Sequence, residues 1–345
     1  MSALAFDLPD ALEATSPPEA RGIDRDAVRL LVADGRDGRI SHARFHQLAE
    51  LLAPGDLVVV NGSGTLPAAV PGRRADGTAV RVHFATRAPG LGERWRVVEL
   101  RTADGARPAR GRAGETITLG DGAATLELAA QYASGSRLLL ARLEGPASVE
   151  QCLERHGRPI RYGYMARDWP LAAYQNVYAL TPGSAEMPSA GRPFTARLLT
   201  ALRGRGVAVA PITLHAGVSS PERHEPPFPE QYEVPAATAR LVSSTRASGG
   251  RVIAVGTTVV RALETVTDAG GTVSPGAGWT GVVIDQQRGV RAVSGLITGW
   301  HEPEASHLQM LAAIAGEDLL GRSYLAALEH GYLWHEFGDS HLILP

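Results

Sequence analysis

Apolar runs alternate with polar segments along the chain, and their spacing predicts both strands and helices. Residues 57–60 are apolar on both faces, as in a buried parallel strand, and this strand places Asn61 at its carboxyl end. Residues 45–52 carry apolar side chains at helical spacing and stop before Pro54. Other segments repeat the two patterns, with strands predicted at 28–32, 207–213 and 251–255 and helices at 149–156, 196–205, 236–248 and 259–269. This alternation favours an α/β fold with a mainly parallel sheet and helices on its faces.

A different pattern occupies residues 67–144, where short strand-like runs are separated by glycine turns. These runs are 79–84, 95–100, 116–119, 124–128 and 138–143. Short strands at regular spacing are typical of a small antiparallel β-barrel. The sequence therefore predicts a discontinuous α/β catalytic domain, 1–66 and 145–345, interrupted by an inserted β-barrel domain at 67–144.

Composition narrows the chemistry that is available. The chain has 345 residues, and all 34 of its basic residues are arginine. Without lysine, neither a Schiff base to a carbonyl substrate nor a P-loop lysine is possible. The single cysteine, Cys152, forms no internal disulfide, and we expect it to be a small buried apolar residue.

Arginines are concentrated in the predicted barrel, although the net charge of the chain is −2. Between Arg73 and Arg112, ten arginines stand against four acidic residues, a local excess of six positive charges. Guanidinium groups match phosphate geometry. The segment is therefore either a surface that binds a phosphate backbone or the solvated exterior of a β-rich module.

No apolar run approaches the roughly 20 residues that a membrane helix needs. The first ten residues contain acidic side chains rather than a basic flank. We expect a cytoplasmic protein without a membrane partner. The sequence does not indicate an oligomeric state.

A candidate anion site follows the strand that ends at Val255. Gly256, Thr257 and Thr258 open a helix that also carries Arg261. The N–H groups at a helix start favour phosphate or carboxylate, and glycine allows close approach. The structural alternative is a threonine N-cap with Arg261 in a surface ion pair.

His215 and His301 each follow a predicted strand, where ligands bind in open α/β sheets. Either is a candidate general acid or base, and either is alternatively a hydrogen-bonded structural residue. Asp339 offers a carboxylate on a turn, unless it only stabilises that turn. The segment Tyr174–Tyr178 combines rings and amides that suit a nucleobase or a packed core. No spacing matches a metal site.

Several segments, in the same order, resemble the S-adenosylmethionine:tRNA ribosyltransferase-isomerases of queuosine biosynthesis. These segments are LLAPGDLVVVN at 51–61, YQNVYA at 174–179, PSAGRPFT at 188–195, TLHAG at 213–217, IAVGTTVVRALE at 253–264, LITGWHEP at 296–303 and FGDSHLI at 337–343. The resemblance implies that S-adenosylmethionine is a substrate. Its ribosyl part would be transferred and isomerised onto 7-aminomethyl-7-deazaguanine in tRNA, with release of adenine and methionine and without a metal.

The same resemblance implies a set of site residues. The catalytic candidates are His215, His301 and Asp339. The substrate-binding candidates are Asn61, Tyr174, Gln175, Tyr178, Ser189, Gly191, Gly256, Thr257, Thr258, Arg261 and Trp300.

Departures from the family pattern lie where substrate contacts are expected. Gly64 stands in place of the arginine of NxTR, Pro193 in place of the histidine of GLHFT, and Gly299 in place of the asparagine of TNFH. A shorter stretch, 218–229, replaces the GTFxPV loop, and 285–289 differs from YPG. Three functions therefore stay open: the tRNA-modifying enzyme, a diverged member that uses S-adenosylmethionine with another acceptor or with none, and a non-catalytic binding protein.

Overall fold

The structure is a computed structural model that describes residues 6–122, 124–133, 137–165, 167–218, 228–303 and 305–345. Most of the predicted short stretch 218–229 lies outside the described residues. None of the helices in the described part of the chain combines the length and the apolar character that crossing a membrane requires.

Seventeen strands are numbered here in chain order. They are β1 Arg29–Asp34, β2 Arg39–Arg44, β3 Leu57–Asn61, β4 Ser63–Thr65, β5 Ala69–Arg74, β6 Ala79–Arg87, β7 Trp95–Thr102, β8 Thr116–Leu119, β9 Ala124–Gln131, β10 Leu138–Glu144, β11 Thr181–Ser184, β12 Ala208–Leu214, β13 Glu230–Val234, β14 Val252–Val255, β15 Gly276–Thr280, β16 Gly295–Thr298 and β17 Ser340–Leu344.

The α-helices are α1 Leu48–Leu51, α2 Val149–His156, α3 Ala196–Gly204, α4 Ala236–Ala247, α5 Thr257–Thr265, α6 His307–Ala315 and α7 Glu317–Glu329. Single 3-10 turns occur at Asp10–Leu12, Pro18–Arg21, Arg25–Ala27, Phe45–Gln47, Leu171–Tyr174 and Ser189–Gly191. Polar caps begin two of the predicted helices, since Ser148 accepts a hydrogen bond from Gln151 N and Thr195 accepts one from Leu198 N.

A nine-stranded sheet has the order β15-β13-β12-β3-β14-β16-β17-β1-β2. Its central strands β12, β3, β14 and β16 are parallel neighbours, and β17 pairs with β1 in parallel. The remaining pairs are antiparallel, including the β1–β2 hairpin and the β16–β17 pair. The α/β class is confirmed. The sheet is more mixed than predicted, because β13 runs against β12 on one side of the parallel core, and β17 and β1 run against β16 on the other side.

The predicted antiparallel barrel is confirmed as a closed barrel with the order β10-β7-β6-β5-β8-β9. It contains one strand more than the pattern predicted, because Pro71 and a charged end obscure the apolar alternation of β5. Helix α2 packs against the barrel, and its Cys152 is a buried free cysteine. Burial raises the pKa of the Cys152 thiol.

The chain enters the barrel after β4 and returns to the main sheet after α2. The barrel has an apolar core of its own, separate from the apolar clusters that cover the main sheet. We propose on this basis that 67–144 is a domain inserted into one made of 1–66 and 145–345.

The four parallel strands bring the predicted site segments to one edge of the sheet. Asn61 ends β3, His215 follows β12, Gly256 follows β14, and Gly299 follows β16. Because parallel strands share a direction, all of these positions lie at the carboxyl edge. Helices α6 and α7, which the sequence pattern did not predict, follow the last of these segments.

Candidate active site

A cavity of about 430 Å³ lies between the carboxyl edge of the sheet and the barrel. Seven of the predicted site residues line it: Ser189, Gly256, Thr257, Thr258, Arg261, Trp300 and His301. The barrel contributes Ala85, Thr86, Arg101 and Leu138 to the opposite wall. A volume of this size is in the range of small-molecule sites.

The start of α5 faces the cavity. Gly256 has a φ of 91°, and no side chain caps the first N–H groups of the helix within the described residues. The Gly256 N–H donates to the Ile297 carbonyl at 2.8 Å, which fixes the end of β14 against β16. Uncapped N–H groups at a helix start attract an anion.

Asn61 is buried behind this helix start and does not line the cavity. Its amide nitrogen donates to the Leu214 carbonyl at 2.8 Å and to Thr258 Oγ1 at 3.3 Å. Its oxygen accepts from Leu214 N at 3.0 Å and from Ser63 N at 3.1 Å. Asn61 therefore joins β3 to β12 and holds Thr258 in place.

Arg261 lines the cavity, but protein groups hold most of its donors. Its Nη1 forms an ion pair with Glu230, and its Nε donates to the Val282 carbonyl at 3.1 Å. Its Nη2 donates to the Phe228 and Thr280 carbonyls. The sequence did not indicate Glu230 as a partner, because β13 is distant from α5 along the chain.

His301 lies at the end of β16, and its environment favours the neutral ring. Its Nε2 is 2.9 Å from Thr298 Oγ1, and its ring stacks on that of His307 with centroids 4.5 Å apart. Burial holds the pKa of His301 well below 6.5, and His307, His341 and His335 add to this effect. Burial and Arg261 lower the pKa of His307 to about 4. A neutral imidazole can accept a proton.

His215 lies beside the cavity rather than on its wall. Its Nδ1 is 2.8 Å from Ser63 Oγ, which is 2.6 Å from Ser184 Oγ. Its ring packs against Gly183, where a Cβ would approach it to 2.3 Å. Burial lowers the pKa of His215, as does Arg87. The next residue, Ala216, lines the cavity.

The predicted nucleobase segment has structural contacts. The Gln175 side chain bonds to both Thr65 N and Thr65 O, at 3.0 and 2.8 Å. Tyr174 packs on Phe337 with ring centroids 5.2 Å apart. Tyr178 is half-buried with its hydroxyl enclosed, and a Cβ at Gly191 would come within 2.1 Å of that hydroxyl. None of these residues lines the cavity.

Asp339 also lies away from the cavity. It pairs with Arg29 at 2.7 Å and accepts from Arg29 N and Leu333 N. These contacts tie β1 to the turn before β17, which is the structural alternative that the sequence left open. Trp300 does line the cavity, and its ring stacks on His341 with centroids 4.7 Å apart.

Sequence reasoning missed most of the residues that line the cavity, including six whose polar side chains bear on its chemistry. They are Tyr162, Tyr164, Glu186, His307, His335 and Glu336. Two closely spaced tyrosines, Tyr162 and Tyr164, are visible in the sequence. No local pattern connects them with Glu186 or Glu336, which lie more than 20 positions away. Among the described residues, no group of three or more His, Cys, Asp or Glu side chains is arranged to hold a metal ion.

Comparison with known proteins agrees with the geometry. A family model described as queuosine biosynthesis protein matches residues 1–343. A relative from Symbiobacterium thermophilum, named S-adenosylmethionine:tRNA ribosyltransferase-isomerase, is 38% identical over 100% of this chain and 99% of its own. One of the same name from Acetivibrio thermocellus is 35% identical over 98% of each chain.

The crystal structure of S-adenosylmethionine tRNA ribosyltransferase from Thermotoga maritima matches with a TM-score of 0.56 and 28% identity. The match covers 99% of this chain and 100% of the other. Both the sequence and the fold are therefore shared along the whole length. The chain belongs to the queuosine biosynthesis protein family.

Proposed function

We propose that this protein is an S-adenosylmethionine:tRNA ribosyltransferase-isomerase. It transfers and isomerises the ribosyl part of S-adenosylmethionine onto 7-aminomethyl-7-deazaguanine in tRNA, and it releases adenine and methionine. The observation that carries this proposal is one cavity that combines the uncapped start of α5 with His301 and Trp300. The full-length relatives that carry this name support it.

The start of α5 is the site we assign to the methionine carboxylate. Its N–H groups, with the hydroxyls of Thr257 and Thr258, offer donors at the cavity wall. Arg261 is bound to Glu230 and to three carbonyls, so we assign it to holding this wall in place. In this assignment Arg261 does not contact the methionine carboxylate directly.

His301 is the residue we assign to proton transfer at the substrate. The sulfonium of S-adenosylmethionine acidifies the neighbouring 5′ carbon, and a neutral imidazole can remove that proton. His301 lines the cavity and has a lowered pKa, whereas His215 lies behind the wall. We therefore assign His215 to positioning Ser63 and Ser184.

The barrel is the surface we assign to tRNA. Arg107, Arg110 and Arg112 are exposed, and Arg107 follows Ala106, which lines the cavity. Other arginines of this segment serve the fold, since Arg96 and Arg101 are buried in ion pairs with Glu150 and Glu99. Because tRNA is the acceptor, we expect the protein to act in the cytoplasm.

The decisive experiment is to incubate the protein with S-adenosylmethionine, with and without tRNA that carries the deazaguanine base. Adenine and methionine are then followed by chromatography. Release that requires this tRNA supports the proposal. Absence of adenine with every acceptor tested would leave only the binding-protein function.

A second candidate function is a diverged enzyme that uses another acceptor or none. The observation that favours it is the replacement of family residues by Gly299, which lines the cavity, and by Pro193, which follows the cavity-lining residues 188–190. Release of adenine at the same rate with and without tRNA would support this candidate.

A further inference from the structure

A second wall of the cavity has a chemistry unlike that of the α5 start. The Tyr162 hydroxyl donates to Glu186, and the Tyr164 hydroxyl donates to Glu336. The Tyr164 ring stacks on His335 with centroids 3.9 Å apart and planes 8° apart. The Tyr162 ring lies 6.2 Å from that of Tyr164, between centroids. All five side chains, here called the tyrosine–glutamate wall, line the cavity.

The Glu336 carboxylate gives the Tyr164 side of this wall negative charge, whereas the Arg101 guanidinium lies 5.5 Å from the Tyr162 ring centroid. Burial and the neighbouring carboxylates raise the pKa of Tyr162 and Tyr164 well above 10, so both hydroxyls stay protonated and only donate. Glu336 forms no ion pair with an arginine within the described residues, in contrast to Glu230, which Arg261 neutralises. A carboxylate held by a neutral donor keeps its attraction for a cation.

Two buried polar atoms of the same cavity have no hydrogen-bond partner among the described residues. They are Trp300 Nε1 and His335 Nε2; the second lies on a side chain that is 7% exposed, and its nearest carboxylate oxygen, Glu13 Oε1, is 3.6 Å away, beyond hydrogen-bond distance. Among the described residues other than glycine, only His335 has a positive φ, which is 70°. Buried polar atoms are normally satisfied, so unpartnered ones that line a cavity point to a ligand. Strained backbone is frequent at such sites.

We propose that the tyrosine–glutamate wall binds the positively charged group of a substrate that also carries a flat ring. Ring faces favour both stacking and cations, and the Glu336 carboxylate supplies the opposite charge. This inference rests on the proposed function, whose substrates offer two sources of this chemistry. One is S-adenosylmethionine, with its adenine and sulfonium, and the other is the aminomethyl group of the deazaguanine base.

The test uses ligand pairs that differ in charge. S-adenosylmethionine is compared with S-adenosylhomocysteine, which keeps the amino-acid part but has a neutral sulfur, and 7-aminomethyl-7-deazaguanine with its neutral 7-cyano analogue, by calorimetry on the full chain. The variants are Glu336→Gln and Glu186→Gln, which keep shape and remove charge. Glu329→Gln is the control, since this carboxylate is exposed at the end of α7 and does not line the cavity.

We expect each wall variant to weaken binding of the cationic member of one pair by about tenfold or more, and to leave its neutral partner within about threefold. The control keeps the wild-type affinities. The pair that responds identifies which substrate the wall binds. Thermal unfolding of each variant checks that the fold is retained.

The inference is overturned if neither variant weakens a cationic ligand, or if cationic and neutral members weaken equally. In the latter case the carboxylates only support the fold. If the wild-type protein releases adenine with tRNA while the variants keep full affinity, this inference is wrong and the proposed function stands. If the wild-type protein binds neither cationic ligand, both this inference and the proposed function are wrong.

Discussion

His301 lies in an environment that disfavours a charged ring. Burial is the main cause of its lowered pKa, and the rings of His307, His341 and His335 add a smaller effect. A base with this property stays neutral at a pH where an exposed histidine is already half protonated. The acid limb of the pH profile therefore reports whether His301 is the base.

We expect kcat/KM for adenine release to stay level as the pH falls through 6.5 and to decrease only at lower pH. The reason is that His301 stays neutral at pH 6.5 and loses its function as a base only when it becomes protonated. Replacement of His301 by alanine should slow adenine release by about 10²–10⁴-fold. The exposed His46 is the matched control, and its alanine variant should keep the wild-type rate. An acid limb centred at pH 6.5, or a His301→Ala variant at full rate, would exclude this role.

Asp339 is predicted to act through stability rather than chemistry. Asp339→Asn weakens its pair with Arg29, which should lower the free energy of unfolding by about 3 kcal/mol, measured in urea. The rate of adenine release per folded molecule should stay at the wild-type value. Asp318→Asn is the control, because Asp318 and its partner Arg322 are 86% and 45% exposed, and we expect a loss below about 1 kcal/mol. A slow but fully stable Asp339→Asn would restore the catalytic assignment.

At the scale of elements, the start of α5 depends on one backbone conformation. Gly256 combines a φ of 91° with a ψ of 152°, a region that is open almost only to glycine. A Cβ there would meet its nearest atom, Thr258 Oγ1, at 3.4 Å, so backbone strain rather than a clash opposes substitution. The strain lies where we assign the methionine carboxylate.

Gly256→Ala should therefore cost about 1–3 kcal/mol of stability and also weaken binding of S-adenosylmethionine. Gly249→Ala is the matched control, since Gly249 has a φ of 76° and open space around it at the end of α4. Its stability should fall similarly while calorimetric affinity stays at the wild-type value. If the two variants bind S-adenosylmethionine with equal affinity, the start of α5 is not part of the binding site.

At the scale of the whole molecule, the barrel and the sheet edge together enclose the cavity, and we expect the barrel arginines to contact tRNA. Replacement of Arg107, Arg110 and Arg112 by glutamine should weaken tRNA binding. It should also flatten the dependence of log affinity on log salt by about 0.7–0.9 per lost phosphate contact. Filter binding over a salt series measures both quantities.

The control is the pair Arg203→Gln and Arg205→Gln. Both arginines are exposed, and they lie just before β12, at the opposite edge of the sheet from the cavity. Their replacement should leave the salt dependence unchanged. The same slope in all three proteins would show that the barrel does not contact the phosphate backbone.

The sequence by itself determines much of this protein. Local periodicity predicts β3, β12, β14, α2 to α4 and five of the six barrel strands, because burial on one or both faces leaves a repeating pattern. It misses α6, α7 and the strands β2, β4, β5, β11, β13, β15 and β17, and it leaves the directions of the edge strands open. The strand ends also locate Gly256 to Thr258 and His301 correctly at the cavity, since parallel strands share one carboxyl edge.

Tertiary structure alone decides which polar residues face the cavity and which hold the fold. Arg261 meets Glu230, Asp339 meets Arg29, and Gln175 bonds to Thr65, in each case across a long stretch of chain. The tyrosine–glutamate wall likewise joins segments around 162, 186 and 336. Local pattern reports only how deeply a residue is buried, whereas the partner of a polar group depends on how distant segments pack.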